Sequence, residues 1–500
     1  CTALSAPPTS VRSTRESMEQ STELALTNAW SAAWADFLVN KVAIAERRAA
    51  PWLTEWPPGA AADADALLML ADLAHISGAV REDAALLRQA LVAYDAHLAL
   101  VPTSQAGQRM RAETLLRLGE YRQAFAAFDV LHHTTLEDAE ARAAEEVAPF
   151  RLVHDAECIE AAVRLGADSQ ALATAAAWRA LATELTEAPP SVPGQDPGQG
   201  ADALGRTRVH LLSPTQRALL GPRFGRPLPV PAGLGAPSPA GPSLGTPSSP
   251  GAAGALRPRA DWAELQRRFT SERCVVVDDL LSPEALAALQ QYARHGCHFR
   301  TMRAGYLGAF PSDGVTHPRL LALIEELGIA APRIVAGHTL GLWWLFKYSD
   351  SNPAGIGIHA DPAAVNFNLW LTPDEACLEG GGLSVYRHVP LLEQHTAAIN
   401  HEYAQGEEDA LRERLQTAGE VVTIPYRCNR AVIFVSDQFH ESLPFRFAPG
   451  YENRRVNLTL LFGDRWSGRL AGADATGEGP PRSTAPDEGQ AATDGWDVFG

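Results

Sequence analysis

The feature that most limits how this chain can fold is a break in composition between residues 188 and 258. "EAPPSVPGQDPGQG" and, further on, "PLPVPAGLGAPSPAGPSLGTPSSPGAAGALRP" are rich in Pro, Gly, Ser and Ala. Proline removes backbone donors, glycine costs conformational entropy, and so few large apolar side chains cannot close a core. Residues 188–258 therefore read as a linker. Within them "LLSPTQRALLGPRFGRP" has the makings of one short docked helix. The chain must then build its cores on either side, and with 500 residues two or three domains are expected. The tail from 466, with its Gly, Ala and Asp, and residues 1–17 read as flexible ends.

Before the break, residues 18–187 are Ala-rich and of helical pattern, with early helices expected around 22–49 and 60–77. In "LLRLGEYRQAFAAFDVLHH", Leu118-Gly119, Tyr121, Ala124 and Phe128 fall at fixed offsets, and 34 residues earlier Ala90 matches Ala124 and Tyr94 matches Phe128. Pro102 falls where the earlier unit would end, and a degenerate echo lies at 164–178. The small alanine lets paired helices approach and the aromatic fills the gap between them. This 34-residue self-match resembles a tetratricopeptide repeat; a generic helical bundle is the alternative. Such repeats make concave surfaces that hold peptides, which implies a peptide or protein partner for this part.

After the break, short aromatic and β-branched runs dominate. "LGLWWLFKYS", "AVNFNLWLTP", "RAVIFVS" and "RRVNLTLLFG" read as strands. Between the first two lies His359-Ala-Asp361, and after the third comes His440. Fifteen histidines yield on the order of one His-x-Asp triplet by chance, so the triplet alone says little. On a strand, however, residues two apart share a face. His359 and Asp361 can thus point at one metal, with His440 joining them from the end of another strand. Two imidazoles and one carboxylate on one face of an octahedron leave three positions open, the ligand set of non-haem Fe(II) oxygenases. In the last strand, Arg455, Asn457 and Thr459 share a face. A guanidinium aimed inward needs a carboxylate partner, which a dicarboxylate co-substrate would provide.

The ordered set His359, Asp361, His440, Arg455 makes residues 272–463 resemble an Fe(II)/2-oxoglutarate-dependent dioxygenase domain, nearest the prolyl-hydroxylase-like branch. "CVVVDDLLSPEALAALQQYA" resembles the entry strand and first helix of that branch, with Ser282 suited to the N-cap and Pro283 to the first helical position. The fold implied is a double-stranded β-helix, a jelly-roll barrel occupying about 259–465. The whole chain is then a multidomain α + β protein, repeat-like helices first and barrel last. The resemblance implies that His359, Asp361 and His440 bind Fe(II) and that 2-oxoglutarate chelates the iron through its keto oxygen and adjacent carboxylate. Its far carboxylate would pair with Arg455, with Arg454 as the alternative if the strand slips by one residue. Many members show Arg-x-Ser where this chain has Arg-x-Asn. With the carboxylate ligand present, the implied reaction is hydroxylation or oxidative dealkylation using O2, with 2-oxoglutarate going to succinate, and a protein side chain is one substrate class it suggests. Tyr348 could reach the co-substrate carboxylate. Asn366 and Asn368 share a face, so Asn368 could touch co-substrate or substrate unless both are simply satisfied interior amides.

Other features narrow the reading. Trp343 and Trp344 lie on opposite faces of their strand, so one of them is expected in the core. Gly380, Gly381 and Gly382 read as a tight turn between strands, not a phosphate loop. His338, His388 and His395 lack any supporting spacing. The six cysteines, at 1, 158, 274, 297, 377 and 428, form neither a zinc pattern nor a disulfide framework, which suits a reducing intracellular, cytoplasmic compartment. "CTALSAPPTSVRSTRES" gives a weak transit-peptide-like hint, so an organelle stays open. A net charge of −17 disfavours nucleic acid or an anionic membrane surface as partner, and no apolar run approaches the ~18 residues of a membrane span. Two further functions remain compatible: a repeat-based interaction scaffold with a non-catalytic barrel, and a small-molecule oxygenase using the helices to dimerise. The substrate and oligomeric state are not written in the sequence.

Overall fold

The computed structural model describes residues 24–37, 41–53, 63–138, 145–187, 206–226, 228, 254–296, 298–303, 305–335, 337–349, 351–352, 355–387, 408–419 and 421–464. The expected flexible ends at 1–17 and 466–500 lie outside these residues, as do most of the expected linker, Cys1, Cys297, His388 and His395. The protein is helix-rich in its first part and rich in antiparallel sheet in its last, a multidomain α + β arrangement. The described chain divides into two compact units between Glu120 and Tyr121.

The first unit is helical. Residues 24–37 and Val42–Ala49 are two helices where the sequence pattern suggests a single stretch. Ala64–Arg81, Ala84–Leu100 and Gln105–Arg117 follow. Their starts are fixed by side-chain caps: Asp63 accepts from the backbone of Asp65 and Ala66, and Asp83 from Ala85 and Leu86. Ala90 and Tyr94, singled out by the 34-residue match, are fully buried beside Ala71, Ala74 and Ala93. Asp72 was not anticipated from the sequence. Its buried carboxylate accepts from Trp30 Nε1 at 2.8 Å, Trp34 Nε1 at 3.0 Å and Tyr94 Oη at 2.6 Å, pinning three helices.

The second unit holds three more long helices, Tyr121–Glu137, Pro149–Arg164 and Ala171–Glu187, together with the strands. The composition break at 188 therefore does not coincide with the division between the units. The short docked helix expected in the linker is present at Pro214–Leu220. A capping box between Ser213 and Gln216 starts it, and Trp178 Nε1 donates to Leu220 O at 2.8 Å. Gly254 to Pro258, at the end of the expected linker, are ordered chain. Leu256 bridges Leu281, and Glu326 accepts from the backbone of Ala255 and Leu256.

Seven strands form one antiparallel sheet in the order Cys274–Val277, Ala431–Val435, Val365–Trp370, Val456–Phe462, Leu340–Tyr348, Tyr306–Ala309, Thr301–Arg303. A second sheet has four strands in the order Val421–Ile424, Leu383–Tyr386, His440–Ser442, Ile356–His359. A third pairs Cys377–Gly380, Phe445–Phe447 and Ser351–Asn352. The first two pack face to face: Cys274, Trp370, Val432 and Phe434 of one share a core with Leu383, Val385 and Ile424 of the other. The helix Pro283–Gln291 starts as expected, with Ser282 Oγ accepting from Ala285 and Pro283 in the first turn.

Both tryptophans of the Leu340–Tyr348 strand are buried, where one was expected in the core. The reason is that both faces of this strand are covered. Trp344 lies among Phe310 and Phe346, toward the second sheet's side. Trp343 lies against the helix Tyr121–Glu137, its ring stacked at 4.8 Å on Phe125 and edge-on at 5.6 Å to Phe128, with Nε1 donating to Val315 O.

Candidate metal and anion site

The Ile356–His359 and His440–Ser442 strands pair with His359 directly opposite His440, their rings 4.2 Å apart between centroids. His440 does not end the Ala431–Val435 strand, as the sequence pattern suggested. A turn through Ser436–Phe439 carries the chain across to the other sheet, and His440 opens a strand there. Asp361 follows His359 after the strand has ended. It is held by backbone bonding with Ser436, whose O accepts from Asp361 N and whose Oγ donates to Asp361 O.

One ligand atom from each of His359, Asp361 and His440 lies within 4.8 Å of the others, and His440 Nε2 is 3.4 Å from Asp361 Oδ2. Among the described residues no other group of three His, Cys, Asp or Glu is so placed. The two imidazoles are oriented alike. His359 Nδ1 donates to Gly357 O at 2.8 Å and His440 Nδ1 to Gln438 O at 3.0 Å. With the Nδ1 protons so engaged, each Nε2 keeps its lone pair, the arrangement a metal ligand needs. Burial, reinforced by His440, pushes the His359 imidazole down to about 4, so it is uncharged near neutrality. Burial pushes the Asp361 carboxyl up, but the two imidazoles beside it and the Asn366 amide outweigh this and hold it below its ordinary range. Asp361 Oδ1 is buried without a partner. Two imidazoles whose Nδ1 atoms are taken by carbonyls, a carboxyl held below its ordinary range and an orphaned buried oxygen fit a divalent cation.

Arg455 precedes the Val456–Phe462 strand and is 1% exposed. Its Nε and Nη2 donate to one acceptor, Gly381 O, at 3.3 and 3.1 Å, and its Nη1 has no partner. The guanidinium lies 4.6 Å above the Tyr348 ring and 5.3 Å from that of Phe445. No carboxylate pairs with it among the described residues. A buried cation with an open donor edge is a receptor for an anion. Arg454 faces elsewhere and pairs with Glu157 at 2.7 Å. Tyr348 is fully buried, one wall of the Arg455 cradle.

Gly380–Gly382 form the link between the third sheet and the second, and this turn delivers the Gly381 carbonyl to Arg455. Gly380 and Gly381 have φ of +66° and +78°, and a Cβ on Gly380 would stand 1.9 Å from Pro444 O. Only glycine fits that crossing. The sequence showed the turn but not its role in the cradle.

Asn368 is not free to reach outward. Its Nδ2 donates to Asn366 Oδ1 at 2.6 Å, and its Oδ1 accepts from Asn457 Nδ2 and Thr459 Oγ1, both at 2.9 Å. Asn366 in turn donates to Asp361 Oδ2 at 2.6 Å. A further arrangement not anticipated from the sequence lies behind the ligands. Leu411 and Leu415 of the helix Glu408–Ala418 pack on Ile358, Ala360 and Phe439, the neighbours of the three ligands. Arg412 of that helix pairs at 2.8 Å with Glu441, which also accepts from Tyr386 Oη.

No family model matches the chain, and no curated protein matches it. Among solved structures it is similar to an oxidoreductase of the 2OG-Fe(II) oxygenase family from Burkholderia pseudomallei, at TM-score 0.29 and 11% identity, over 42% of this chain and 95% of that one. It is similar to a prolyl-4-hydroxylase of Pseudomonas putida at TM-score 0.29 and 16% identity, over 43% and 99% of the two chains. HygX from Streptomyces hygroscopicus, solved with nickel and 2-oxoglutarate bound, matches at TM-score 0.29 and 12% identity, over 40% and 86%. Scores this low establish no relationship by themselves.

Proposed function

We propose that the chain is an Fe(II)- and 2-oxoglutarate-dependent dioxygenase that hydroxylates its substrate, and that the two facing sheets form a double-stranded β-helix with the site between them. The observation that carries this reading is the pairing of two receptors in one sheet system. One is the His359, Asp361, His440 cluster, in which carbonyls hold both Nδ1 atoms and leave Nε2 to face a metal. The other is the buried Arg455 with an open Nη1 and no carboxylate of its own. A metal site alone would suit many chemistries. A metal site with a dedicated dicarboxylate receptor suits a co-substrate that is both chelator and dicarboxylate.

His359, Asp361 and His440 would hold the iron, and with 2-oxoglutarate and O2 it would supply oxidative attack on a substrate C–H bond, releasing succinate and carbon dioxide. The chain's own residues do the rest. Gly357 and Gln438 carbonyls fix which nitrogen of each imidazole faces the cation. Tyr348, Phe445 and the Gly381 carbonyl hold the Arg455 guanidinium so that one edge remains for the far carboxylate of 2-oxoglutarate. Trp344, Phe346 and Phe434 line the same interior and keep water from it.

The substrate we favour is a protein side chain, brought by a peptide or protein partner on the helical unit, with nucleic acid disfavoured by the net charge of −17. The test is turnover of 2-oxoglutarate to succinate by the full chain with Fe(II) and ascorbate in air. Succinate formation that needs iron and vanishes in His359→Ala supports the reading. A folded protein that binds iron yet forms no succinate, even with mixed peptides, contradicts it.

A further inference from the structure

The interior face around Asp361 carries a row of four uncharged polar side chains where apolar ones would fill the space. Asn366, Asn368, Asn457 and Thr459 are all buried, with Trp344, Phe346 and Trp370 beside them on the same face. Burying an amide or hydroxyl costs free energy unless its partners are present. Here the bonds form one directed chain that leaves Asn457 Oδ1 unpaired, and its direction follows from the carboxylate. An ionised carboxylate only accepts. Asn366 must therefore present its amino group to Asp361 Oδ2, which it does at 2.6 Å. Its own oxygen is then left to accept, and Asn368 Nδ2 donates to it at 2.6 Å. The Asn368 oxygen likewise accepts, from Asn457 Nδ2 and Thr459 Oγ1 at 2.9 Å each. Asn457 Nδ2 also reaches Thr459 Oγ1 at 2.9 Å, so the far end is braced within its own strand. Reversing any one amide would oppose two donors or two acceptors, so every member has one orientation.

We propose that Asn366 is a positioning residue for the Asp361 carboxylate, locked in turn by Asn368, Asn457 and Thr459. The inference rests on the metal-site reading above and deepens it. Asp361 stands beyond the end of its strand, where no ladder bond orients its side chain. The single side-chain amide on Oδ2 sets the rotation of the carboxyl group and so directs its remaining lone pairs toward the two imidazoles. The relay crosses from the Val365–Trp370 strand to the Val456–Phe462 strand, so the rigidity comes from the sheet and not from the loop. Asn366 touches neither co-substrate nor substrate in this role; it acts through Asp361.

The experiment is Co(II) binding to the full-length, metal-free protein, followed by isothermal titration and by the visible spectrum of the bound ion. Asn366→Leu keeps the branched shape, though not the volume, and removes the donor. It is expected to weaken Co(II) binding about 10–100-fold, as the loss of a ligand's supporting hydrogen bond typically does. It should also alter the cobalt spectrum, and it should lower the unfolding midpoint of the metal-free protein, because Asn368 Nδ2 loses its acceptor. Thr459→Val, a smaller change at the far end, covers the case in which Asn366→Leu fails to fold; it should weaken binding at least about twofold with the fold intact. Wild-type affinity and an unchanged spectrum in both variants overturn this inference and leave the metal site standing. Absence of Co(II) binding in the wild-type protein overturns the metal site and this inference together.

Discussion

Arg455→Met separates a residue kept for binding from one kept for stability. The guanidinium is 1% exposed, shares one carbonyl between two of its nitrogens, leaves Nη1 unpaired and has no carboxylate partner among the described residues. Taking such a cation out of water costs several kcal/mol. Against this stand charged hydrogen bonds to Gly381, worth ~1.5–3 kcal/mol net, and cation–π contacts with Tyr348 and Phe445 of ~0.5–2 kcal/mol each. The two sides nearly cancel, so a methionine of similar length should leave the unliganded protein within ~1 kcal/mol of wild type, or more stable. Ligand should change that comparison. At one hundred times its Kd, 2-oxoglutarate with a non-oxidisable divalent ion adds ~2.7 kcal/mol to a protein that binds it. Urea unfolding with and without 2-oxoglutarate, at a fixed saturating metal concentration, reads both quantities. The wild type should gain this increment and Arg455→Met should gain little or none. A variant that loses more than ~3 kcal/mol without ligand but keeps the full increment would make Arg455 a structural residue and refute the reasoning.

Three further outcomes follow from the packing. Trp343→Ala removes a ring buried between the sheet and the helix Tyr121–Glu137 and leaves a cavity, so urea unfolding should show a loss of ~3–5 kcal/mol. Gly380→Ala must move the backbone away from Pro444 O and adopt a left-handed φ; it should lose at least ~1–2 kcal/mol and weaken 2-oxoglutarate binding by shifting the Gly381 carbonyl, both measurable by calorimetry. Burial pushes His132, His295 and His317 down to about 4 and holds His154 and His298 well below their ordinary value. Their stabilising effect is whole above the unfolded value near 6.5 and is lost as pH falls toward 4, by ~2 kcal/mol each at pH 5 for His132 and His317. Burial raises Glu113 and Asp155 to about 7 and Asp313 to about 6, which acts in the opposite sense, but three carboxyls do not offset these imidazoles together with His75, which burial also holds well below its ordinary value. Urea unfolding should therefore be easier at pH 5 than at pH 7, with net proton uptake; equal stability at the two pH values would show that these histidines are not buried uncharged.

How far the sequence could be read depended on how local each cause is. The strands Leu340–Tyr348, Val365–Trp370 and Val456–Phe462 were legible because their β-branched and aromatic runs are continuous. Period two then put Asn457 and Thr459 on one face, as the register shows, and Arg455 stands just before that strand. The burial of Trp343 was hidden because its cover, Phe125 and Phe128, comes from more than two hundred residues earlier. Asp72 was hidden for the same reason, since a carboxylate in a helix reads as solvent-facing until Trp30, Trp34 and Tyr94 are seen to converge on it. At the site, the identities of His359, Asp361 and His440 could be picked out. What sequence could not supply was the tautomer set by Gly357 and Gln438, or the cradle made by the Gly381 carbonyl, because backbone groups carry no residue label. Asn366 and Asn368 were visible as a pair on one face; their direct line to Asp361 was not.

The most direct test of the central claim is an anaerobic titration of the metal-free protein with Fe(II) and then 2-oxoglutarate, following the weak visible charge-transfer band of a keto acid chelated to ferrous iron. A saturable band that His440→Ala abolishes and Arg455→Met shifts to much higher 2-oxoglutarate concentration is the predicted result. A folded protein that gives no band, or a band indifferent to both substitutions, would contradict the account.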